Sequence, residues 1–312
     1  MTALLFGILT VALVGPIPEV LSRASWPLHA PRAAMALWQS IALAAVLSAF
    51  STGLAIAANL LAPGADGTPT NNPVEEIHRL GWFLWGVYVI VFVVTLVIGA
   101  RLMYTVLRVG IRTRARRNAH RNLIDLVDNV GRSREAGRDI RILDVPDPLA
   151  YCLPGLRSRV VLSEGVLNRL DDRELAAVIE HERAHLRARH DLVLEAFIAL
   201  HEAFPRFVRS KSALGAVELL AEALADDQAA RATSPTTVGR ALVACADATA
   251  PRGAMAVGGP TTLVRVRRLG YLAPTWQVSA TAYTLAAAIL IVPTLAVAIP
   301  WLTELTRLIS HH

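Results

Sequence analysis

Long stretches without a single charged side chain alternate along this chain with stretches dense in arginine and acid. Residues 1–18, 33–61, 81–100 and 277–303 contain no Asp, Glu, Lys or Arg. At 1.5 Å of rise per residue, each is long enough as a helix to cross a hydrocarbon layer of about 30 Å. Four membrane spans are therefore predicted. Pro16 and Pro18 interrupt the end of the first, and Ser22-Arg23-Ala24 resembles a signal-peptidase site. No Lys or Arg precedes that apolar run, so the basic start of a secretory leader is missing and a retained span is expected. Between the third and fourth spans the period of the pattern changes. Ile140 to Val145 and Arg159 to Leu162 are short runs rich in β-branched residues, with turn signals at Asp147-Pro148 and Pro154-Gly155, and they read as strands. From about residue 164 onward helical spacing takes over. Asp171 followed by Glu174 is a capping-box signature opening a helix over about 172–189, with Leu175, Val178, Ile179 and Leu186 as its apolar stripe. A further helix is predicted over about 214–231.

The expected fold class is thus α+β: a polytopic α-helical membrane protein with a folded domain between spans 3 and 4. The pattern divides the chain into an N-terminal membrane region (1–108), a domain of sufficient length for one compact core (109–276), and a last span with a short tail (277–312). Composition agrees, since 54% hydrophobic residues and a mean hydropathy of +0.45 exceed what a soluble domain of this size can bury.

Charge sets the expected orientation. Residues 101–121 hold seven arginines and no acid, whereas the 62–80 connection holds Asp66, Glu75 and Glu76 against Arg79. By the positive-inside rule, the segment after span 3 is cytoplasmic, the N-terminus lies outside, Arg23 and Arg32 sit in a short inside loop, and the tail from Glu304 onward returns outside. A net charge of +6 and a pI near 10.0 invite a nucleic-acid reading. The arginines stand beside a membrane exit, with no aromatic interleaving and no helix-turn-helix pattern, so topology and anionic lipid account for them and no direct nucleic-acid contact is expected. Lys211 is the sole lysine, a compositional bias. Cys152 and Cys245 are expected to be free buried thiols in a reducing compartment.

The chemistry concentrates in His181-Glu182-Arg183-Ala184-His185. Two imidazoles four residues apart share one helix face, and each can give one nitrogen to a tetrahedral Zn²⁺ while Glu182 reaches the attacking water as general base. Arg183 should point away from the metal. A zinc hydrolase needs a third protein ligand and one open position. Glu222, on the second helix, can supply the ligand, and Asp226 on the same face can accept the free N–H of a ligand histidine. Glu218 is a reserve ligand, and Glu218, Glu222 and Asp227 would also be content as an ordinary solvated helix face. His190 is expected on a different face from His181, as a helix-end residue.

With these residues in place, the stretch from Ser158 to Asp191 resembles the catalytic core of the gluzincin membrane peptidases. His201 with Pro205, and Arg265-Val266-Arg267-Arg268-Leu269 before the last span, resemble the BlaR/MecR antibiotic-sensor metallopeptidases; the likeness covers most of residues 80–303. It implies a zinc metalloendopeptidase in a bacterial plasma membrane, with a cytoplasmic gluzincin-like domain in which the strand Arg159 to Ser163 forms the sheet edge that pairs with an extended substrate. It further implies a signalling protease that cleaves a winged-helix repressor. Those sensors carry a penicillin-binding domain after the fourth span, which is lacking here, so direct β-lactam sensing is not expected and a separate sensor protein is a possible partner. Quality-control degradation of membrane proteins, as in the related heat-shock membrane peptidases, and a catalytically silent receptor are the alternatives.

Overall fold

The computed structural model describes residues 2–57, 73–127, 139–155, 158–204, 211–246, 255–256, 261–270 and 276–310. Most of the acidic connection between spans 2 and 3, including Asp66, and Pro205 of the resemblance motif lie outside the described residues.

Four stretches, Ala3–Arg23, Pro31–Ala57, Trp82–Asp125 and Trp276–Leu295, are long and apolar enough to cross a membrane. The first is two helices, α1 (Thr2–Val14) and α2 (Pro16–Arg23), separated at Gly15. Pro16 lacks an N–H to continue α1 yet is well suited to the first position of α2. A 3₁₀ turn over Trp26–Leu28 leads into α3 (Pro31–Ala57). The short α4 (Pro73–Leu80) precedes α5 (Trp82–Val127), and α12 (Trp276–Ser310) closes the chain. Outward-facing Phe83, Ile90, Val97, Ile291 and Val292 are exposed, the surface a helix presents to lipid rather than to water. Gly53 on α3 permits close contact with α5, since a Cβ there would fall 2.1 Å from Thr95 Oγ1.

The helix α5 passes unbroken through residue 108, because the arginine-rich stretch after it contains good helix formers and no proline. Its last turns are bound to the folded domain. Arg117 bridges Asp191 at 3.1 Å and Glu195 at 2.7 Å, His120 Nε2 lies 2.9 Å from the Tyr151 hydroxyl, Arg121 donates to the Pro154 carbonyl, and Arg159 pairs with Asp125. Part of the basic run is thus an intramolecular clamp.

The domain opens with strands β1 (Ile140–Leu143), β2 (Ala150–Leu153) and β3 (Arg159–Ser163), joined by a two-residue strand β4 (Met255–Ala256). The strand order is β1-β3-β2-β4, with β3 parallel to β1 and antiparallel to β2. This corrects the expectation that Arg159 to Ser163 is the sheet edge. Both its sides are paired, and Val160, Val161 and Leu162 are fully buried, as a central strand covered on both faces requires. Tyr151 and Cys152 pair with β4, so β2 and β4 were the strand partners the sequence pattern missed.

Ser163 ends β3 and caps α6 (Glu164–Arg169), its hydroxyl accepting the Val166 N–H. The expected capping box opens α7 (Asp172–Ala188): Asp171 Oδ1 accepts the Arg173 and Glu174 N–H groups, and Glu174 accepts the Asp171 N–H at 3.1 Å. Then follow α8 (His190–Ala203), α9 (Lys211–Ala232), α10 (Pro235–Ala244) and α11 (Thr262–Leu269). One core joins the sheet to α7, α9 and α10 through Val160, Leu162, Val178, Ala229 and Leu242. A second core joins Leu13, Trp38 and Ile41 of the spans to Phe197, Val217 and Leu220 of the domain, so the two regions are packed as one body.

Candidate metal centre

Helix α7 carries His181, Glu182 and His185 on its buried face and packs against β2 and α9. Burial is nearly complete: His181 and His185 are 2% exposed and Glu182 is 0% exposed. The i, i+4 spacing puts the two rings edge to face with Nε2 atoms 3.2 Å apart. Glu222 of α9 completes a triangle, with Oε2 3.4 Å from His181 Nε2 and Oε1 3.3 Å from His185 Nε2. Donors around a tetrahedral zinc with bonds of about 2.0–2.1 Å stand about 3.3 Å apart, so the spacing already present fits that ion. Among the described residues this trio is the only group of three such side chains close enough to hold a metal.

A water between the trio and Glu182 would satisfy an otherwise costly feature. Both carboxylate oxygens of Glu182 are buried with only the weak Cys152 S–H as a donor, an arrangement normally penalised by ~1–3 kcal/mol. Burial, reinforced by the charge of Glu222 and opposed by His181, pushes the Glu182 carboxyl up to about 7. Burial also lifts the nearby Cys152 thiol well above its ordinary value, with the Glu182 charge adding to it, so that cysteine stays protonated. Both cysteines are free and buried, as expected.

Asp226 lies one turn beyond Glu222 on α9, and its Oδ1 is 3.0 Å from His181 Nδ1, the nitrogen facing away from the triangle. Burial alone would lower the His181 pKa, but Asp226 and then Glu222 outweigh it and push it up to about 9. Glu222 is held well below the usual carboxylate range: burial opposes this, and His185 and Arg265 overcome it. Glu218, the reserve ligand, is exposed and lies outside the trio, its pKa raised by partial desolvation and by the charge of Glu222.

Two side chains at the site had no assigned role in the sequence reading. Arg265 on α11 is fully buried, donates to Asp226 through Nε (2.8 Å from Oδ2) and Nη2 (2.6 Å from Oδ1), and forms an ion pair with Glu222, Nη1 lying 2.8 Å from Oε2. The guanidinium fork matches that geometry where an ammonium would not. The signal was the Arg265 to Leu269 run itself, in which Arg265 and Arg268 fall on one helix face; Arg268 also reaches α9, at Asp227.

His190 is the second; it stands at a helix end as expected, the first residue of α8, but its ring packs at the site. It is buried, with Nδ1 3.0 Å from His185 Nδ1. Arg189, at φ 52° in the left-handed region, turns the chain between α7 and α8 and brings His190 back against the ligand ring. Helical projection could not anticipate this, because the helix ends at Ala188. Burial, with the charges on His185 and His181, pushes the His190 pKa down to about 4, so it is neutral and can accept a hydrogen bond from His185 Nδ1–H. Arg183 points away from the trio as expected, pairing with Asp139 at 3.0 Å and Glu180 at 3.2 Å.

Residues 113–223 match the family model Peptidase family M48. The matched stretch contains the His181–His185 helix and ends just after Glu222, short of Asp226, of the Arg265 to Leu269 run and of the last span. No curated protein and no solved structure matches the chain. The family match and the His181–His185–Glu222 cluster together describe a zinc-dependent metalloendopeptidase domain, flanked by helices able to span a membrane.

Proposed function

We propose that this membrane metallopeptidase is a gated regulatory protease that cuts a cytoplasmic transcriptional repressor in response to envelope or antibiotic stress. The observation that carries this is the closure of the site. With Glu182 wholly buried and both histidines nearly so, a polypeptide reaches the reacting groups only after a rearrangement, and an enzyme that must be opened suits a signal better than continuous turnover. The arginines of residues 101–121 support a cytoplasmic domain, and the Arg265 to Leu269 run supports a BlaR/MecR-like role.

His181, His185 and Glu222 are the residues that would hold zinc, leaving one position open, and Asp226 would orient His181. Bound there, the ion would supply Lewis-acid polarisation of a water and of the scissile carbonyl. Glu182 removes the proton from the attacking water and delivers it to the nitrogen of the leaving amine. A carboxyl with a pKa of about 7 is matched to that double duty near neutral pH. The buried pocket around it keeps bulk water from competing for the proton.

The resemblance to the heat-shock membrane peptidases supports one second reading, the degradation of damaged membrane proteins by a quality-control enzyme. The two are separated by comparing newly formed protein N-termini in cells carrying the wild type or Glu182→Gln, with and without a cell-wall antibiotic. One dominant Glu182-dependent cut in a DNA-binding protein supports the regulatory reading; many weak cuts in membrane proteins overturn it in favour of quality control.

A further inference from the structure

The spans and the domain meet around a cavity of about 470 Å³, within the range of pockets that hold small ligands. Its walls include Arg32 in the first turn of α3, Arg231 at the end of α9, Arg268 of α11, and Ser279 and Tyr283 near the start of α12. Asp227 is the one acid in the lining, and Arg268 takes it at 2.7 Å while also donating to the Leu28 and Ala223 carbonyls. Arg32 and Arg231 are exposed and pair with no carboxylate among the described residues; Arg231 reaches only the Gln228 side-chain oxygen, at 3.2 Å. Two guanidinium groups, a phenol and a hydroxyl therefore face one recess with a net positive charge.

The level of this recess is set by the spans. Pro31 and Trp276 begin two of the apolar helices, Trp276 is 75% exposed, and Tyr283, about two turns further along, is half-exposed. Exposed aromatic residues at the ends of apolar helices mark the boundary between headgroups and hydrocarbon. Beyond Tyr283, α12 runs on as an apolar span with Leu285, Ile291 and Val292 exposed around it, an apolar flank against which acyl chains can lie. We propose that this cavity is a binding site for the phosphodiester headgroup of an anionic phospholipid, its acyl chains lying along α12. A free phosphate compound shares the headgroup chemistry but has no use for that flank.

The test uses the full chain in phosphatidylcholine vesicles doped with spin-labelled phosphatidylglycerol, reading the motionally restricted lipid fraction. Each interfacial arginine contributes about fivefold to anionic-lipid attraction, so Arg32→Gln combined with Arg231→Gln should weaken retention by about tenfold or more. Arg112→Gln combined with Arg116→Gln removes the same charge from the lipid-facing basic run but from no wall of the recess, and should cost several-fold less of the restricted fraction. The inactive Glu182→Gln protein should retain lipid as the wild type does, which separates this site from the proteolytic reading. Equal losses in the two double variants, or no loss in the first, would reduce the effect to general surface charge and overturn the proposal. Displacement of the restricted lipid by millimolar glycerol phosphate would reassign the recess to a soluble anion and overturn it equally.

Discussion

Replacing Glu182 by glutamine should disable the enzyme and stabilise it at once, and the second effect can be worked out from the site. The carboxyl ionises near pH 7 in the fold against about 4.5 in an unfolded chain, with burial as the main cause. A folded-state pKa raised in this way means the fold binds the proton more tightly, so the penalty is absent below about pH 4.5, grows through the window between the two values and is complete above about pH 7. Linkage puts it at about 0.8 kcal/mol near pH 5 and about 3 kcal/mol near pH 8 in metal-free protein. Glutamine keeps the shape and never ionises. Its thermal midpoint, followed by tryptophan fluorescence in detergent after chelation, should therefore gain on the wild type by about 5–10 °C between about pH 5 and pH 8, taking about 2–4 °C per kcal/mol. Cleavage should fall by about 10²–10⁴-fold, the usual contribution of a positioned base, while zinc is retained. A midpoint difference independent of pH would show that Glu182 is not a buried acid titrating near neutrality, and peptidase activity within tenfold of the wild type would remove it from the mechanism.

Other expectations follow from the same geometry. His190→Ala removes the acceptor for His185 Nδ1 and should weaken zinc binding by about 10–100-fold in chelator competition, with partial rescue by His190→Asn; unchanged affinity would make the 3.0 Å contact incidental. Arg265→Gln leaves Glu222 and Asp226 buried without their cation and should cost about 3–5 kcal/mol, read as a loss of folded protein and of bound zinc, and Arg265→Lys should recover only part because an ammonium cannot bridge both acids. In metal-free protein His181 is raised to about 9, so its pairing with Asp226 stabilises fully below about pH 6.5 and is lost as pH rises through 9. Zinc must displace that proton, so metal affinity should rise with pH across the same window, and a flat profile by competition titration would contradict the assignment.

Local rules made the centre of this site legible. The spacing of His181 and His185 fixes both rings on one helix face whatever the tertiary setting, and Asp171 with Glu174 fixes where that helix starts. Span positions are equally local, since a charge-free run either is or is not long enough for a bilayer. Glu222 and Asp226 could be placed on one face of one helix, but their meeting with α7 is a matter of packing.

What the sequence alone determined is everything set by periodicity within one element: the apolar helices, the capping box, the paired imidazoles and the base between them. The tertiary structure decided what depends on how elements meet. Strand order made Arg159 to Ser163 a central strand rather than an edge, because a buried β-branched run has the same local signature in either position. A single left-handed residue, Arg189, returned His190 to the metal face, where helical projection placed it elsewhere. Arg265 reached across 39 residues to Asp226, a partnership that no spacing rule encodes, since side chains from separate helices converge only when a common core brings their axes together.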